Sequence, residues 1–227
     1  MAGGADVQIR SFEGSDVDAV VDEFNETWGG ATSRLSPGES LALSRHFVFH
    51  FLRDATRADV AVLDGAIVGV IVTRIAGNPP IYEWVPARME RTDAALEASS
   101  AAAKTELAKA RRWHSLDKEI ERASDLLSGK VAEVELFLVS PKARGHGVGR
   151  SLWGGALEYF RANDVKTFFL HTDTSCDMGF YDHQGLRRVS ELSLRPSSPT
   201  LQAMARRDVP GKTRPSEELF LCVGSLE

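Results

Sequence analysis

Cysteine is nearly absent from this chain of 227 residues: Cys176 and Cys222 have no metal-ligand spacing and build no disulfide framework. Reduced thiols in a cytoplasmic protein are the reading that follows, and no metal is expected. No apolar run approaches the ~20 residues that cross a bilayer, which sets aside a membrane-embedded role. A basic excess is lacking as well. With 27 Lys and Arg against 32 Asp and Glu, the formal charge is −5. That balance disfavours nucleic acid and acidic membranes as partners, because both reward a positive face. Met1–Asp6 is a short small-residue tail rather than a charged-then-apolar leader. What is present is ordinary globular material, 43% hydrophobic and 26% charged. The length suits one well-buried core, and 1–227 reads as a single domain carrying an insert at 77–130.

Hydrophobic periodicity orders the elements. Val7–Phe12 reads as a strand, and Gly14-Ser15-Asp16 opens a helix with Val17, Val20, Val21 and Phe24 on one stripe. Ser36-Pro37-Gly38-Glu39 opens a second helix with Leu43, Phe47 and Phe51 aligned. Val60–Leu63, Asp64-Gly65 and Ala66–Ile75 read as a hairpin. Val131–Ser140 is a strand, Val148–Ala162 a helix and Lys166–Thr172 a strand; a short helix lies near Ser175–His183. Gly185–Leu194 and Glu218–Val223 pair last. The order β-α-α-β-β-insert-β-α-β-α-β-β predicts an α+β fold, a mixed sheet of about six to seven strands flanked by helices.

Residues 77–130 exceed the ~12–15 residues at which a structureless loop becomes improbable. Pro86 suits a first helical turn, and Gly129 suits the position after a last one. Leu96, Ala103, Leu107 and Ala110 keep helical spacing, and Trp113, Leu116, Ile120, Ala123 and Leu127 continue it. One unbroken helix would run roughly 60 Å at ~1.5 Å per residue and would not return the chain to the sheet. A helical hairpin reversing near Arg111–Ser115 is expected instead.

The most informative segment is Leu136–Leu152. Strand formers end at Ser140-Pro141, then Gly145, Gly147 and Gly149 make a turn that empties into a helix N-terminus. Free backbone N–H groups and the positive end of the helix dipole make this an anion site. A Walker loop needs glycine where Arg144 stands and lysine where Arg150 stands, and Gly211-Lys212-Thr213 fails in the same way, with Arg206 at the glycine position. The Rossmann spacing Gly-x-Gly-x-x-Gly is also missing. Nucleotide readings are thereby disfavoured.

What fits is Arg-x-x-Gly-x-Gly, carried by Arg144, Gly147 and Gly149 behind Phe137-Leu138-Val139-Ser140-Pro141. It resembles the coenzyme A signature of the GNAT superfamily of acyl-CoA-dependent N-acyltransferases. A second family element, a strand and short helix ending in Tyr-x-x-x-Gly-Phe, is similar to Phe168–Thr172 followed by Tyr181-Asp182-His183-Gln184-Gly185-Leu186. Thr174 stands where many members have Asn, Asp177 where a small residue is usual, and Leu186 where Phe is common. The helical insert lies outside the family pattern.

The resemblance implies a GNAT-like fold and acetyl-CoA as co-substrate. Backbone groups and side chains across Arg144, Gly145, His146, Gly147, Val148, Gly149 and Arg150 would hold the pyrophosphate, and Thr174 would join the CoA contacts. Leu138 and Val139 would pair with the pantetheine arm where the next strand splays away, and the Val139 N–H would polarise the thioester carbonyl.

The implied acceptor is an amine, of a small molecule or of a protein or peptide. An alkyl ammonium near pKa ~10.4 must lose a proton before it attacks, so a general base is useful. Glu133 and Glu135 alternate onto one strand face, and Ala132-Glu133-Val134 matches a common family form, which favours Glu133; the plain alternative is a solvated sheet face. Tyr181 matches the family tyrosine that reprotonates the leaving thiolate, against a plain core tyrosine. Cys176 lacks an activating base at any recognisable spacing.

His46 and His50 are a helical turn apart but without a third ligand, so they read as surface or acceptor-pocket histidines. His171 and Asp173 are candidates to line the cleft. The insert either walls the acceptor side or is a structural pair or homodimer contact. Direct attack in a ternary complex is the leading mechanism; a non-catalytic CoA or acyl-CoA sensor or scaffold is the alternative.

Overall fold

The computed structural model describes residues 7–29, 34–123, 130–173, 176, 178–193 and 218–226. The strands are β1 (Gln8–Ser11), β2 (Arg57–Leu63), β3 (Ala66–Ile75), β4 (Val131–Val139), β5 (Thr167–Asp173), β6 (Arg187–Ser193) and β7 (Glu218–Ser225). The helices are α1 (Val17–Trp28), α2 (Pro37–Arg53), α3 (Val85–Ala98), α4 (Ala101–Ala123), α5 (Val148–Ala162) and α6 (Met178–His183). The strands form one seven-stranded sheet in the order β1-β2-β3-β4-β5-β7-β6. Only the β4–β5 pairing is parallel among these neighbours, as the α5 crossover between them requires. The expected α+β mixed sheet is therefore what the chain forms.

Both faces of the sheet are covered. One face packs Ile71, Val134 and Phe168 against Val148, Leu152 and Phe160 of α5. The other packs Val70, Val72, Leu136 and Leu138 against Val20, Val21 and Phe49 of α1 and α2. Val134 and Leu136 would share a face in a regular strand. They do not, because the β3–β4 register shifts: Thr73 pairs with Val134 and Val72 with Leu136, which leaves Glu135 as the bulged residue.

The insert is a helical hairpin, but its reversal lies at Ser99–Ser100 rather than at Arg111–Ser115. The hydroxyls explain the difference. Ser100 Oγ accepts from the Ala103 N–H at 3.1 Å and so caps α4, while Ser99 Oγ donates to Glu39 Oε1 on α2 at 2.5 Å. Serines that can bond locally at a helix end interrupt the helix, whereas the one serine of Arg111–Ser115 bonds back to the Arg111 carbonyl at 3.0 Å, a geometry the helix accommodates. The hairpin then buries Leu96, Ala103, Leu107 and Ala110 against Leu43 of α2. Further along α4, Trp113 and Leu116 pack on Val131, Phe169 and Leu221 of the sheet. Gly129 and Leu127, assigned to the end of this helix from sequence, lie outside the described residues.

Candidate active site

β4 and β5 pair only through Val131, Ala132 and Glu133 opposite Thr167, Phe168 and Phe169. Beyond Glu133 the described strands are no longer joined, so one edge of β4 is open along Leu136–Val139. The Ser140 N–H donates to Val68 O on β3 at 2.8 Å. Alternation along an extended chain therefore turns the Val139 N–H away from β3, toward the open edge. The expected splay beside Leu138 and Val139 is present.

The glycine turn follows at once. Gly145 and Gly147 take φ of +84° and +73°, a region that side-chain-bearing residues occupy at a cost. Gly147 is the residue before α5, and no side chain caps the first-turn N–H groups of that helix. Arg144, His146 and Arg150 are exposed around it. A concave row of N–H donors flanked by cationic side chains suits a diphosphate. Thr174 lies outside the described residues.

A cavity of about 390 Å³ occupies the space between α1, α2, α4 and the sheet at the bulge. Glu133, Glu135, His171, Asp173, Cys176 and Tyr181 all line it. Arg74 stands directly across from Glu133 in the β3–β4 register. Its Nε donates to Glu135 Oε1 at 2.7 Å, and its Nη2 hydrogen-bonds Glu133 Oε2. The second oxygen of Glu133 meets His171 Nδ1 at 3.1 Å. From α4, Glu121 Oε1 approaches His171 Nε2 at 3.9 Å and Lys118 Nζ at 3.4 Å.

The two glutamates are held differently. Burial favours a neutral Glu133, but the hydrogen bond and charge of His171, with Arg74, outweigh it and keep the carboxyl below its ordinary value. Burial, then the Glu133 charge, push the Glu135 carboxyl up, further than Arg74 draws it down. Burial would lower His171, but its hydrogen bond to Glu133 and the nearby carboxylates push it up to about 9. Burial pushes Asp117 up to about 6. Glu121, Glu133 and His171 present ligand atoms within 4.8 Å of one another, and the protonated imidazole itself supplies positive charge among those carboxylates.

The histidine pair on α2 splits. His46 is fully buried, with Nδ1 2.6 Å from Asp93 Oδ1, so it is not a surface residue; it lies outside the cavity at the bulge and lines a second one with Asp93 and Arg111. His50 lines the cavity and stacks on His114 of α4 at 3.3 Å between ring centroids. Burial lowers the pKa of both stacked rings, His114 to about 3.

A family model, the acetyltransferase (GNAT) family, matches residues 17–186. The chain belongs to that family. A search of curated proteins finds no match. Among solved structures, the polyamine N-acetyltransferase of Drosophila melanogaster is 15% identical, covering 97% of this chain and 100% of that one with a TM-score of 0.57. Arylalkylamine N-acetyltransferase 2 from Aedes aegypti is 16% identical, covering 98% and 100%, at 0.59. The ribosomal-protein-S18-alanine N-acetyltransferase of Escherichia coli is 12% identical, covering 96% and 92%, at 0.50. At such identities the likeness is one of fold, and it spans GNAT enzymes of small amines and of a protein alike. No described helix is long and apolar enough to cross a membrane.

Sequence reading missed Arg74, Asp117 and Glu121. Each left a trace. Arg74 interrupts the apolar run Ala66–Ile75, and Asp117 and Glu121 are one helical turn apart beside the Trp113–Leu116 stripe of α4.

Proposed function

We propose that the protein transfers an acetyl group from acetyl-CoA to an amine by direct attack in a ternary complex. The observation that carries this reading is a juxtaposition: the open edge of β4 ends at the glycine turn, and the cavity lined by Glu135 and Tyr181 reaches the same strand at Leu136 and Phe137. On this reading the turn from Arg144 to Arg150 receives the pyrophosphate, and Leu138 and Val139 receive the pantetheine arm. The Val139 N–H meets the thioester oxygen, where donors fixed in advance stabilise developing charge.

Glu135 is the better base of the two glutamates. Its raised carboxyl accepts a proton near neutral pH, whereas Glu133 is committed to Arg74 and His171. The ammonium gives one proton to Glu135 and becomes a free amine. Its nitrogen bonds to the thioester carbon, the C–S bond breaks, and the second proton that nitrogen sheds restores, through solvent, the one Tyr181 gives up. The departing thiolate takes a proton from Tyr181, whose buried ring packs near Phe180 and Trp153. Residues 1–227 then act as one acyltransferase domain whose insert serves the acceptor side.

An amine library with acetyl-CoA, read by free thiol, tests the activity. Release of CoA with at least one amine, lowered about 10²-fold in kcat by Tyr181→Phe, is expected. Tight acetyl-CoA binding with no thiol released by any amine would leave a CoA-binding module in its place.

A further inference from the structure

The cavity has two chemically distinct ends. Toward α1 and α2 it is aromatic: Phe24 lies 4.7 Å from Trp28 and 5.7 Å from Phe47 between ring centroids, and Phe51 completes the group at 6.2 Å from Phe24. Toward α4 and the bulge it is acidic, with Asp117, Glu121, Glu133 and Glu135. The nearby cations are already engaged: Arg74 with Glu133 and Glu135, His171 with Glu133, and Lys118 with Glu121. Asp117 is the exception. Its Oδ1 is buried with no hydrogen-bond partner among the described residues. A buried carboxylate oxygen without a donor is costly, and an ammonium group with three N–H bonds supplies one.

We infer that the cavity takes, as acceptor, a small primary amine joined by a short chain to an aromatic ring, with Asp117 receiving the ammonium and the α1–α2 rings receiving the body. The inference rests on the N-acetyltransferase reading for the word acceptor, but the two can fail separately. A flat ring stacks on the aromatic walls, whereas a second ammonium entering there would have to compete with Lys109 for Glu106, a further carboxylate of the lining that Lys109 already holds at 2.7 Å. Cation–π attraction offsets only part of the cost of desolvating that second ammonium. A volume of about 390 Å³ lies at the small end of ligand pockets, which suits a compact amine better than a peptide. The raised Asp117 and Glu135 carboxyls are consistent with a pole that attracts one more positive charge.

The test compares 2-phenylethylamine, putrescine and a tripeptide with N-terminal alanine, by turnover with acetyl-CoA and by calorimetric binding in the presence of CoA. We expect kcat/KM for 2-phenylethylamine to exceed that of the other two by about tenfold or more, roughly one well-made aromatic contact. Asp117→Asn should raise KM for 2-phenylethylamine about tenfold or more while kcat moves far less, as loss of a charge-assisted hydrogen bond requires. Trp28→Ala should weaken 2-phenylethylamine and leave putrescine unchanged. Putrescine or the peptide performing as well, or an Asp117→Asn protein with unaltered KM and binding, overturns the inference. Asp117-dependent binding of 2-phenylethylamine without turnover of any amine upholds the ligand class and sinks the transferase reading.

Discussion

Arg74 holds Glu135 through its Nε at 2.7 Å from a position directly opposite Glu133, so one guanidinium serves both the bulged glutamate and the glutamate it faces across the ladder. The bulge makes this geometry. It swings Leu136 and Leu138 onto the α1–α2 face, and it leaves Glu135 as the unpaired residue of the β3–β4 ladder. The division of charge follows. Glu133, with Arg74 and His171, is fixed as an anion, and its charge raises Glu135.

That asymmetry gives opposite outcomes for two similar substitutions. Glu135→Gln removes the proposed base and should lower kcat/KM by about 10²–10⁴ and abolish the ascending limb of its pH profile. Glu133→Gln removes a neighbouring negative charge, so the Glu135 carboxyl falls and the ascending limb moves to lower pH. Profiles measured from pH 5 to pH 10, a range of about five units around the neutral base expected here, decide between them. An ascending limb that vanishes in Glu133→Gln and persists in Glu135→Gln would transfer the role to Glu133.

Arg74 offers a second lever. Glu133 is buried and Glu135 is half-buried, so Arg74→Met strands two carboxylates without their shared cation. Breaking a buried pair costs about 3–5 kcal/mol, readable as a drop in denaturation midpoint. Both carboxyls then rise, and the ascending limb of kcat/KM should move to higher pH, opposite to Glu133→Gln. Arg74→Lys restores charge without the planar fork and should recover part of the stability but not the original pH profile.

Much of this molecule could be read in its sequence, because local chemistry dictated it. The capping run Ser36-Pro37-Gly38-Glu39 starts α2, with Glu39 N donating to Ser36 Oγ at 3.3 Å, and Asp64-Gly65 turns the β2–β3 hairpin with both φ positive. The glycine turn and the splay beside Val139 were legible for the same reason. The acidic pole was not. Asp117 and Glu121 come from an insert whose path depends on Leu96 and Leu107 meeting Leu43, a contact no spacing rule supplies. Arg74 became meaningful only through its register with Glu133. The reversal at Ser99–Ser100 was misplaced because an Ala- and Ser-rich helix gives weak stop signals, and the deciding partner is Glu39, sixty residues earlier.

His171 ties the fold to pH. Its folded pKa of about 9 lies above the unfolded value near ~6.5. The stability it contributes is therefore full below pH ~6.5 and is lost as pH rises through about 9, at a slope of up to about 1.4 kcal/mol per pH unit. Glu133 works in the other direction. Its folded pKa is depressed, so its contribution is present above the ordinary carboxylate range and is lost in acid. Urea denaturation of His171→Gln at neutral and alkaline pH should show a flatter decline than the unsubstituted protein. An unchanged slope would mean that His171 is neutral in the folded state.

Gly147 tests the donor site itself. A Cβ added there meets no atom within 4 Å, yet φ is +73°. Gly147→Leu therefore introduces backbone strain of about 1–2 kcal/mol with no collision at its Cβ, and the protein should still fold. Its side chain would stand at the N-terminus of α5, over the N–H groups proposed to receive pyrophosphate. We expect the rise in Tm produced by CoA to disappear in Gly147→Leu, with little shift by ATP in either protein. The comparison is internal, since a ligand raises Tm only through preferential binding to the folded state. Equal stabilisation by CoA with and without the substitution would place the pyrophosphate elsewhere, and a larger shift with ATP than with CoA would reopen the nucleotide reading that Arg144 and Arg150 disfavour.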